Sequence, residues 1–177
     1  DLALASLNEA NAELVRDKTR ATTIKSRFIA GTQQILRSDS EVTTRLSDHT
    51  GEAILAKAKK VMSDHDVLVL SDYGKGVLNH RRAKILIEAA KSSGIPVVVD
   101  PKGVDYGIYS GADVITPNRK EIQEASGMLI ESVDDAATAA LEISKRHNLA
   151  AVLVTLSQNG MLLAMGTDTY HLRAVAR

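Results

Sequence analysis

The chain of 177 residues has no cysteine, no tryptophan, one phenylalanine and three prolines. The absence of cysteine excludes disulfide bonds and thiolate catalysis, and it fits a reducing compartment. No apolar run approaches the roughly 18 residues that a bilayer-spanning helix needs. The first residues also lack the charged and apolar regions of a secretory signal. We therefore expect a cytoplasmic protein that does not enter a membrane.

An excess of charge of one sign is also absent, because 22 Lys and Arg residues balance 22 Asp and Glu residues. Such a chain lacks the broad positive surface that attracts nucleic acid or anionic membranes, so neither is an expected partner. Hydrophobic residues make up 44% and charged residues 25%, as in ordinary globular proteins. The length suits one domain with its own core.

Short aliphatic runs alternate with amphipathic segments along most of the chain. The predicted strands cover 66–70, 97–99, 113–116, 151–155, 160–164 and 169–172. The predicted helices cover 51–62, 79–93, 118–126 and 133–144, the last behind a capping pair formed by Ser132 and Asp135. The buried face predicted for this last helix consists of Val133, Ala136, Ala137, Ala140, Leu141 and Ser144. Strands that alternate with helices indicate a mainly parallel sheet with helices on both faces. The sequence therefore predicts an α/β fold with a doubly wound sheet.

A β-hairpin is predicted near the start, where residues 22–38 partly alternate around Ala30 and Gly31. It does not fit the parallel sheet, so we expect a small appendage. Its cations Lys25 and Arg27 are two residues apart and share one face of a strand. Two cations on an exposed hairpin are usually a solvated edge that discourages aggregation. A lid over a phosphorylated sugar would use the same residues, so both interpretations stay open.

Polar residues follow each of four predicted parallel strands. They are Ser71, Asp72, Tyr73, Gly74, Lys75 and Gly76, then Asp100 and Lys102, then Thr116 and Asn118, then Thr155 and Gly160. In open parallel sheets, ligands bind outside the carboxyl ends of the strands. A phosphoryl-transfer site needs cations and helix N-termini for phosphates, and carboxylates or amides for magnesium. This edge therefore favours nucleotide chemistry.

Each of these residues also has a purely structural interpretation. Asn118 and Glu121 have the spacing of a helix N-cap and its partner in a capping box. Lys102 can belong to a surface ion pair, and Asp72 can belong to a strand-ending turn. Thr155 is a β-branched residue that suits any strand, and the glycines of SDYGKG do not have P-loop spacing. Only their combination at one edge favours a functional site.

The five histidines do not indicate a metal site. They are His49, His65, His80, His147 and His171. All lie in polar stretches, and none has metal-ligand spacing or an adjacent nucleophile. We expect them at the surface.

In the hairpin and in the segments around these strand ends, the chain resembles the ribokinase-like (PfkB) carbohydrate kinases, and most closely their heptose 7-phosphate kinases. The matching segments are TTIKSRFIAGTQQILR, LVLSDYGKGVL, PVVVDPKGVDY, ITPNRKE and VLVTLSQNGM, which together cover most of residues 19–165. The combination of DPKG, TPN-x-x-E and SDYGKG is specific to that subgroup, whereas VT-x-x-x-x-G is common to the wider family.

The resemblance implies a ribokinase-like fold with a lid hairpin over 19–40 and a nucleotide-binding α/β core over 50–177. It implies ATP and Mg²⁺ as cofactors and a sugar phosphate as substrate. The implied reaction phosphorylates D-glycero-β-D-manno-heptose 7-phosphate at its anomeric hydroxyl, in ADP-heptose biosynthesis for the lipopolysaccharide core. A homodimer formed through the lid hairpin is also implied.

The same resemblance implies roles for individual residues. Lys102 would support catalysis by contacting a phosphate. The nucleotide-binding residues would be Asn118, Arg119, Lys120, Glu121, Thr155 and Gly160, with Glu121 and Asn118 near the metal. The residues that bind the sugar phosphate would be Lys25, Arg27, Gln34, Asp72 and Lys75.

The chain also departs from the family pattern. The family's general base, an Asp in a Gly-Ala-Gly-Asp turn, is expected beyond Arg177, and a sugar-binding Gly-Gly-and-Asn segment is expected before Asp1. The chain therefore resembles an internal fragment truncated at both ends, and the 177 residues alone are predicted to be inactive. At the end of the hairpin, RSDSE lacks the basic residue expected before Glu41. Another sugar kinase of the family and a noncatalytic sugar- or nucleotide-binding module remain as alternatives.

Overall fold

The computed structural model describes residues 12–175. The sequence of residues 2–12 resembles the tail of a helix, and this segment lies almost wholly outside the described residues. Two sheets are present in this range. The hairpin strands are β1 (Ile24–Ala30) and β2 (Gln33–Ser40). The strands of the main sheet are β3 (Leu68–Ser71), β4 (Val97–Asp100), β5 (Val114–Ile115), β6 (Ala151–Thr155), β7 (Met161–Met165) and β8 (Asp168–Leu172). The α-helices of the described range are α1 (Asp48–Val61), α2 (His80–Ser92), α3 (Arg119–Ser126) and α4 (Val133–His147).

The main sheet has the order β3-β4-β5-β6-β7-β8. Strands β3 to β6 are parallel, and β7 and β8 extend the sheet as an antiparallel meander. The prediction of a mainly parallel α/β sheet with a separate hairpin is confirmed. Neighbouring strands follow chain order from β3 to β6, and right-handed crossovers in one direction place their helices on the same face. Of the two helical layers expected, residues 12–175 thus supply one.

Burial of the strands follows this one-sided arrangement. Leu70, Val99, Ile115 and Val152 are aligned across β3 to β6, and all four are buried. Val69, beside Leu70 on the opposite face, is 60% exposed. The hydrophobic core therefore lies between the sheet and the helices.

None of the helices between residues 12 and 175 combines the length and the apolar character that a membrane span requires.

The helices begin at local capping signals. Asn79 caps α2, and Gly94, just beyond its last turn, has a φ of +71° that favours glycine. Ser132 and Asp135 form the predicted capping box of α4. Helix α1 starts earlier than predicted because Ser47 caps it by accepting a hydrogen bond from Thr50 N.

The buried face of α4 differs from the predicted stripe. Ala139 and Ile143 are fully buried and were not among the predicted positions. Val133, Ala137 and Leu141 are only partly buried, and they pack against the margin of the core. Because α4 packs on both α3 and β7, these neighbours decide which of its residues are buried. The predicted face therefore includes residues at the margin of the core.

One of the five histidines is not at the surface. His147, at the end of α4, is half-buried, and its ring centroid is 6.5 Å from that of Tyr106. Burial, together with the nearby cation of Arg146, lowers the pKa of His147. The other four histidines are exposed as expected.

The segment after the hairpin is held against the loop that follows β3. Arg20 donates from Nη2 to the carbonyl oxygens of Val42 (2.5 Å) and Lys75 (2.6 Å). Gly76 has a φ of +75°, and a Cβ there would lie 2.8 Å from the carbonyl oxygen of Thr44. Glycine is therefore needed at this close approach, which places the hairpin over the carboxyl ends of the strands.

A buried arginine supports the same loop from α2. The side chain of Arg82 donates from Nε to Val77 O (2.6 Å) and from Nη2 to Gly76 O (2.9 Å). Arg82 is buried, which lowers its pKa, yet a guanidinium stays charged in proteins. Its hydrogen bonds satisfy carbonyl groups of a loop that has no regular secondary structure.

Candidate active site

A cavity of about 440 Å³ lies between the hairpin and the carboxyl ends of β3 and β4. The hairpin and the segment after it contribute Lys25, Arg37, Asp39 and Glu41. The sheet side contributes Asp72, Tyr73, Lys75, Asp100, Pro101, Lys102 and Glu121. The structure thus brings together five of the residues to which the resemblance gave roles in the site, namely Lys25, Asp72, Lys75, Lys102 and Glu121.

Every cation that lines this cavity is paired with an acidic side chain. Lys25 lies 3.1 Å from Asp39, and Arg37 lies 3.2 Å from the other oxygen of the same carboxylate. Lys75 pairs with Glu41. Such partly exposed pairs are worth at most about 1 kcal/mol each. They hold the cations close to the carboxylates of the cavity lining.

Lys102 and Glu121 join the loop after β4 to the start of α3. Lys102 Nζ lies 2.9 Å from Glu121 Oε1. The hydrogen bond from Lys102 to Glu121 raises the pKa of Lys102, so its ammonium stays charged at physiological pH. Glu121 Oε2 accepts from Asn118 N (3.0 Å), and Asn118 Oδ1 accepts from Glu121 N (3.0 Å). The capping-box interpretation of Asn118 and Glu121 is therefore correct, and Glu121 contacts Lys102 in addition.

Asp72 is buried beneath the cavity at 8% exposure. Its Oδ1 accepts from Gly74 N (2.8 Å), so the strand-ending turn that the sequence left open is present. Its Oδ2 accepts from the hydroxyl of Tyr109 (2.7 Å). Both carboxylate oxygens thus take part in bonds that shape the loop after β3.

Two predicted nucleotide-binding residues are neighbours at adjacent strand ends. Asn118, which follows β5, forms a parallel bridge with Thr155 at the end of β6. Thr155 is exposed, and its N–H donates to Pro117 O (3.0 Å). Asn118 is hydrogen-bonded to Glu121, which lines the cavity. The pair of Asn118 and Thr155 therefore lies next to the cavity without being part of its lining.

Three other predicted nucleotide-binding residues have structural contacts instead. Arg119 donates to the carbonyl oxygens of Ile130 (3.4 Å) and Glu131 (3.5 Å), away from the cavity. Lys120 is 81% exposed and lies 3.7 Å from Glu124, one turn further along α3. At Gly160, where φ is +84°, a Cβ would lie 1.9 Å from Leu172 O, so the position must be glycine for β8 to pack.

The hairpin presents a different arginine from the one expected. Arg27 and Arg37 are cross-strand partners, so their side chains share one face. Arg37 lines the cavity, whereas Arg27 lies on the hairpin outside the lining. Gln34, also expected at the substrate, pairs with Ile29 near the hairpin turn and is likewise outside it. A bulge between Phe28 and Ile29 shifts the register near the turn, which alternation alone did not indicate.

The expected Mg²⁺ would need oxygen donors from the chain. Among residues 12–175, no group of three or more His, Asp or Glu side chains could hold a metal ion. Mg²⁺ in phosphoryl-transfer sites is held by one or two carboxylates together with substrate phosphates and water. Glu121 fits that limited role, because each of its oxygens has one partner and keeps a free lone pair.

The chain resembles known proteins in sequence. It is 44% identical over 165 residues to the bifunctional protein HldE of Paramagnetospirillum magneticum, covering 93% of this chain and 34% of that protein. The bifunctional protein HldE of Rhodospirillum rubrum is 43% identical over 160 residues, covering 89% of this chain and 32% of the relative. The chain thus spans about a third of the length of these relatives.

Solved structures show the same fold. The tetrameric inhibited form of phosphofructokinase-2 from Escherichia coli has a TM-score of 0.74 at 20% identity, covering 96% of this chain and 56% of that one. The Arabidopsis thaliana ribokinase complexed with ribose and ATP has a TM-score of 0.58 at 19% identity, covering 79% and 45%. These likenesses confirm the prediction of a ribokinase-like α/β fold.

A family model settles the membership of the chain. The model of pfkB family carbohydrate kinases matches residues 4–177. That match spans every segment that lines the cavity, from β1 to the start of α3. The chain therefore belongs to the pfkB family of carbohydrate kinases.

Proposed function

We propose that the native protein carrying this sequence is a sugar-phosphate kinase, which transfers the γ-phosphoryl group of ATP to the anomeric hydroxyl of D-glycero-β-D-manno-heptose 7-phosphate. The main observation in support is that four cations converge on one cavity beside the N-terminus of α3, namely Lys25, Arg37, Lys75 and Lys102. A substrate with a phosphate of its own, beside a nucleotide, needs several cations in one place. The segments that resemble heptose 7-phosphate kinases supply all four.

The chemistry assigned to these residues is positioning and charge neutralisation. Phosphoryl transfer leaves little covalent work to the protein and depends on holding donor and acceptor in line. Lys102, on the sheet side next to Glu121, would bind a phosphate oxygen on which charge develops. Lys25 and Arg37, on the hairpin side, would bind the distal phosphate of the sugar.

The nucleotide would lie along the adjacent strand ends, where Asn118 and Thr155 meet. Mg²⁺, when bound, would neutralise charge on the nucleotide phosphates, and Glu121 is the carboxylate of this chain placed to hold it. Removal of the proton from the sugar hydroxyl is assigned to the family's Asp, which the resemblance places outside these residues. In this scheme residues 19–40 act as the lid and 50–177 as the nucleotide-binding core, and the reaction takes place in the cytoplasm.

The direct test is sugar-dependent formation of ADP by the native full-length protein, with heptose 7-phosphate compared against other phosphorylated and unphosphorylated sugars. We expect heptose 7-phosphate to give the highest kcat/KM. Turnover with a different sugar only would reassign the substrate within the family. Binding of ATP and sugar without turnover would contradict the kinase proposal and favour a noncatalytic binding module.

A substitution ties the activity to the cavity. Lys102→Met keeps the length of the stem and removes the charge, so we expect kcat and kcat/KM to fall together by tenfold or more. Lys84→Met is the matched control, because Lys84 is an exposed cation near Glu88 on α2 and is not part of the cavity lining. An unchanged kcat in Lys102→Met would show that Lys102 is only a surface cation.

A further inference from the structure

Tyr109 lies beneath the cavity and contacts both strand-end loops that line it. Its side chain is fully buried in the 3₁₀ helix Tyr106–Tyr109, which follows β4. The hydroxyl oxygen is 2.7 Å from Asp72 Oδ2 and 3.2 Å from Lys102 N. A hydroxyl has one proton, so it donates to the carboxylate and accepts from the N–H of Lys102. Burial raises the pKa of Tyr109, which keeps that proton in place at physiological pH.

The loop after β3 completes the support of Lys102. The second oxygen of Asp72 accepts from Gly74 N (2.8 Å) and closes the turn. Gly74 has a φ of +65°, and a Cβ there would lie 3.2 Å from Lys102 Cγ, so this loop packs directly on the lysine stem. The backbone N–H of Lys102 is thus held by Tyr109, and its stem is held by a turn that Tyr109 also orients through Asp72.

We propose that Tyr109 is a positioning residue for Lys102, its hydroxyl tying the loop after β4 to Asp72 so that the lysine ammonium stays in the cavity. A hydrogen bond from a buried hydroxyl to a carboxylate is among the stronger ones in proteins. Small displacements of a group that binds a transferring phosphate cost much of the rate. The catalytic effect of Tyr109 rests on the proposed kinase function, whereas its effect on the loop is measurable without turnover.

The chain offers a matched pair of variants in the native full-length protein. Tyr109→Phe removes the hydroxyl and keeps the ring. Tyr106→Phe is the control, because Tyr106 is equally buried in the same 3₁₀ helix and its hydroxyl has no hydrogen-bond partner within residues 12–175. We expect Tyr109→Phe to lower kcat/KM for the sugar phosphate at least tenfold, with KM for ATP within twofold of wild type. Tyr106→Phe should stay within twofold throughout.

A double variant separates positioning from general damage to the fold. If Tyr109 acts through Lys102, then Tyr109→Phe combined with Lys102→Met is no slower than Lys102→Met alone. Losses that multiply instead would show that Tyr109 affects catalysis independently of Lys102 and would overturn the proposal.

Tryptic cleavage after Lys102 gives a readout that needs no kinase activity. A loop released from Asp72 should be cut faster under native conditions, so we expect cleavage between Lys102 and Gly103 to accelerate at least tenfold in Tyr109→Phe and not in Tyr106→Phe. If wild type has no sugar kinase activity but this difference is found, the proposed function fails and the loop assignment holds. If wild type is active and Tyr109→Phe changes neither the cleavage nor kcat/KM, the positioning role is overturned.

Discussion

Lys102 Nζ lies 2.9 Å from Glu121 Oε1. This contact joins the cation that we assign to a phosphate to the carboxylate that we assign to Mg²⁺. The two residues are 19 positions apart and belong to different strand ends. Glu121 also closes the capping box of α3 with Asn118, so one side chain links helix initiation to the cavity. A ligand that binds Lys102 therefore approaches a cation that is already held by the carboxylate that caps α3.

Replacement of Glu121 by Gln separates its two roles. Gln keeps the capping-box geometry, and the lost pair with a half-exposed Lys102 should cost less than about 1 kcal/mol of stability. In the native full-length protein we expect turnover to fall at least tenfold and the Mg²⁺ concentration for half-maximal rate to rise. Rates measured across a magnesium titration, together with thermal unfolding, test this. A lower Tm with unchanged turnover and magnesium dependence would leave Glu121 with the capping role alone.

The cross-strand pair Arg37 and Arg27 gives a matched comparison on the hairpin. Because Arg37 lines the cavity and Arg27 does not, Arg37→Ala should weaken binding of the sugar phosphate by about 1.5–3 kcal/mol, roughly ten- to a hundredfold. Arg27→Ala should change it less than threefold, and neither should alter ATP binding. Calorimetric titration with the phosphorylated and unphosphorylated sugar measures both effects. A larger loss in Arg27→Ala would restore the original expectation that Arg27 binds the phosphate.

The hairpin also exposes an apolar surface that suits a dimer contact. Phe28 and Leu36 are cross-strand partners at 54% and 56% exposure. The same pair on a second copy would bury this face of the hairpin, as we predict for a homodimer. We expect Phe28→Lys with Leu36→Lys to convert a dimer into a monomer in sedimentation velocity. Val104→Lys, at 62% exposure in another loop, is the control. A wild-type protein that sediments as a monomer would contradict the dimer.

His147 should make stability depend on pH in the mildly acidic range. Burial lowers its pKa in the folded protein, so below the unfolded-state value of about 6.5 the unfolded chain binds the proton more readily. Stability from this group is therefore complete above that value and declines as the pH falls through the folded-state pKa. We expect the Tm to drop less between pH 7.5 and pH 5.5 in His147→Gln than in wild type. His80→Gln, which removes an exposed histidine, is the control, and an equal slope in all three proteins would contradict the assignment.

Local rules account for much of the fold. The capping boxes of α3 and α4 could be predicted because each depends on residues three positions apart, and the same local chemistry gives α2 its start at Asn79. Strand β6 was predicted with its observed bounds because a short β-branched run between turn signals has few other structures open to it. The edge that carries the cavity followed from strand direction alone.

Contacts between distant segments were decided only by the tertiary structure. The choice of Arg37 over Arg27 depends on how the hairpin is seated against the loop after β3, and the role of Tyr109 depends on Asp72, 37 residues away. The sequence by itself determined which side chains follow the carboxyl ends of the strands, because strand ends and helix caps are set by residues that are close together in the chain. Which of them touch was decided by packing, since hydrogen bonds and ion pairs form over about 3 Å and the relative placement of two loops is not a property of either one.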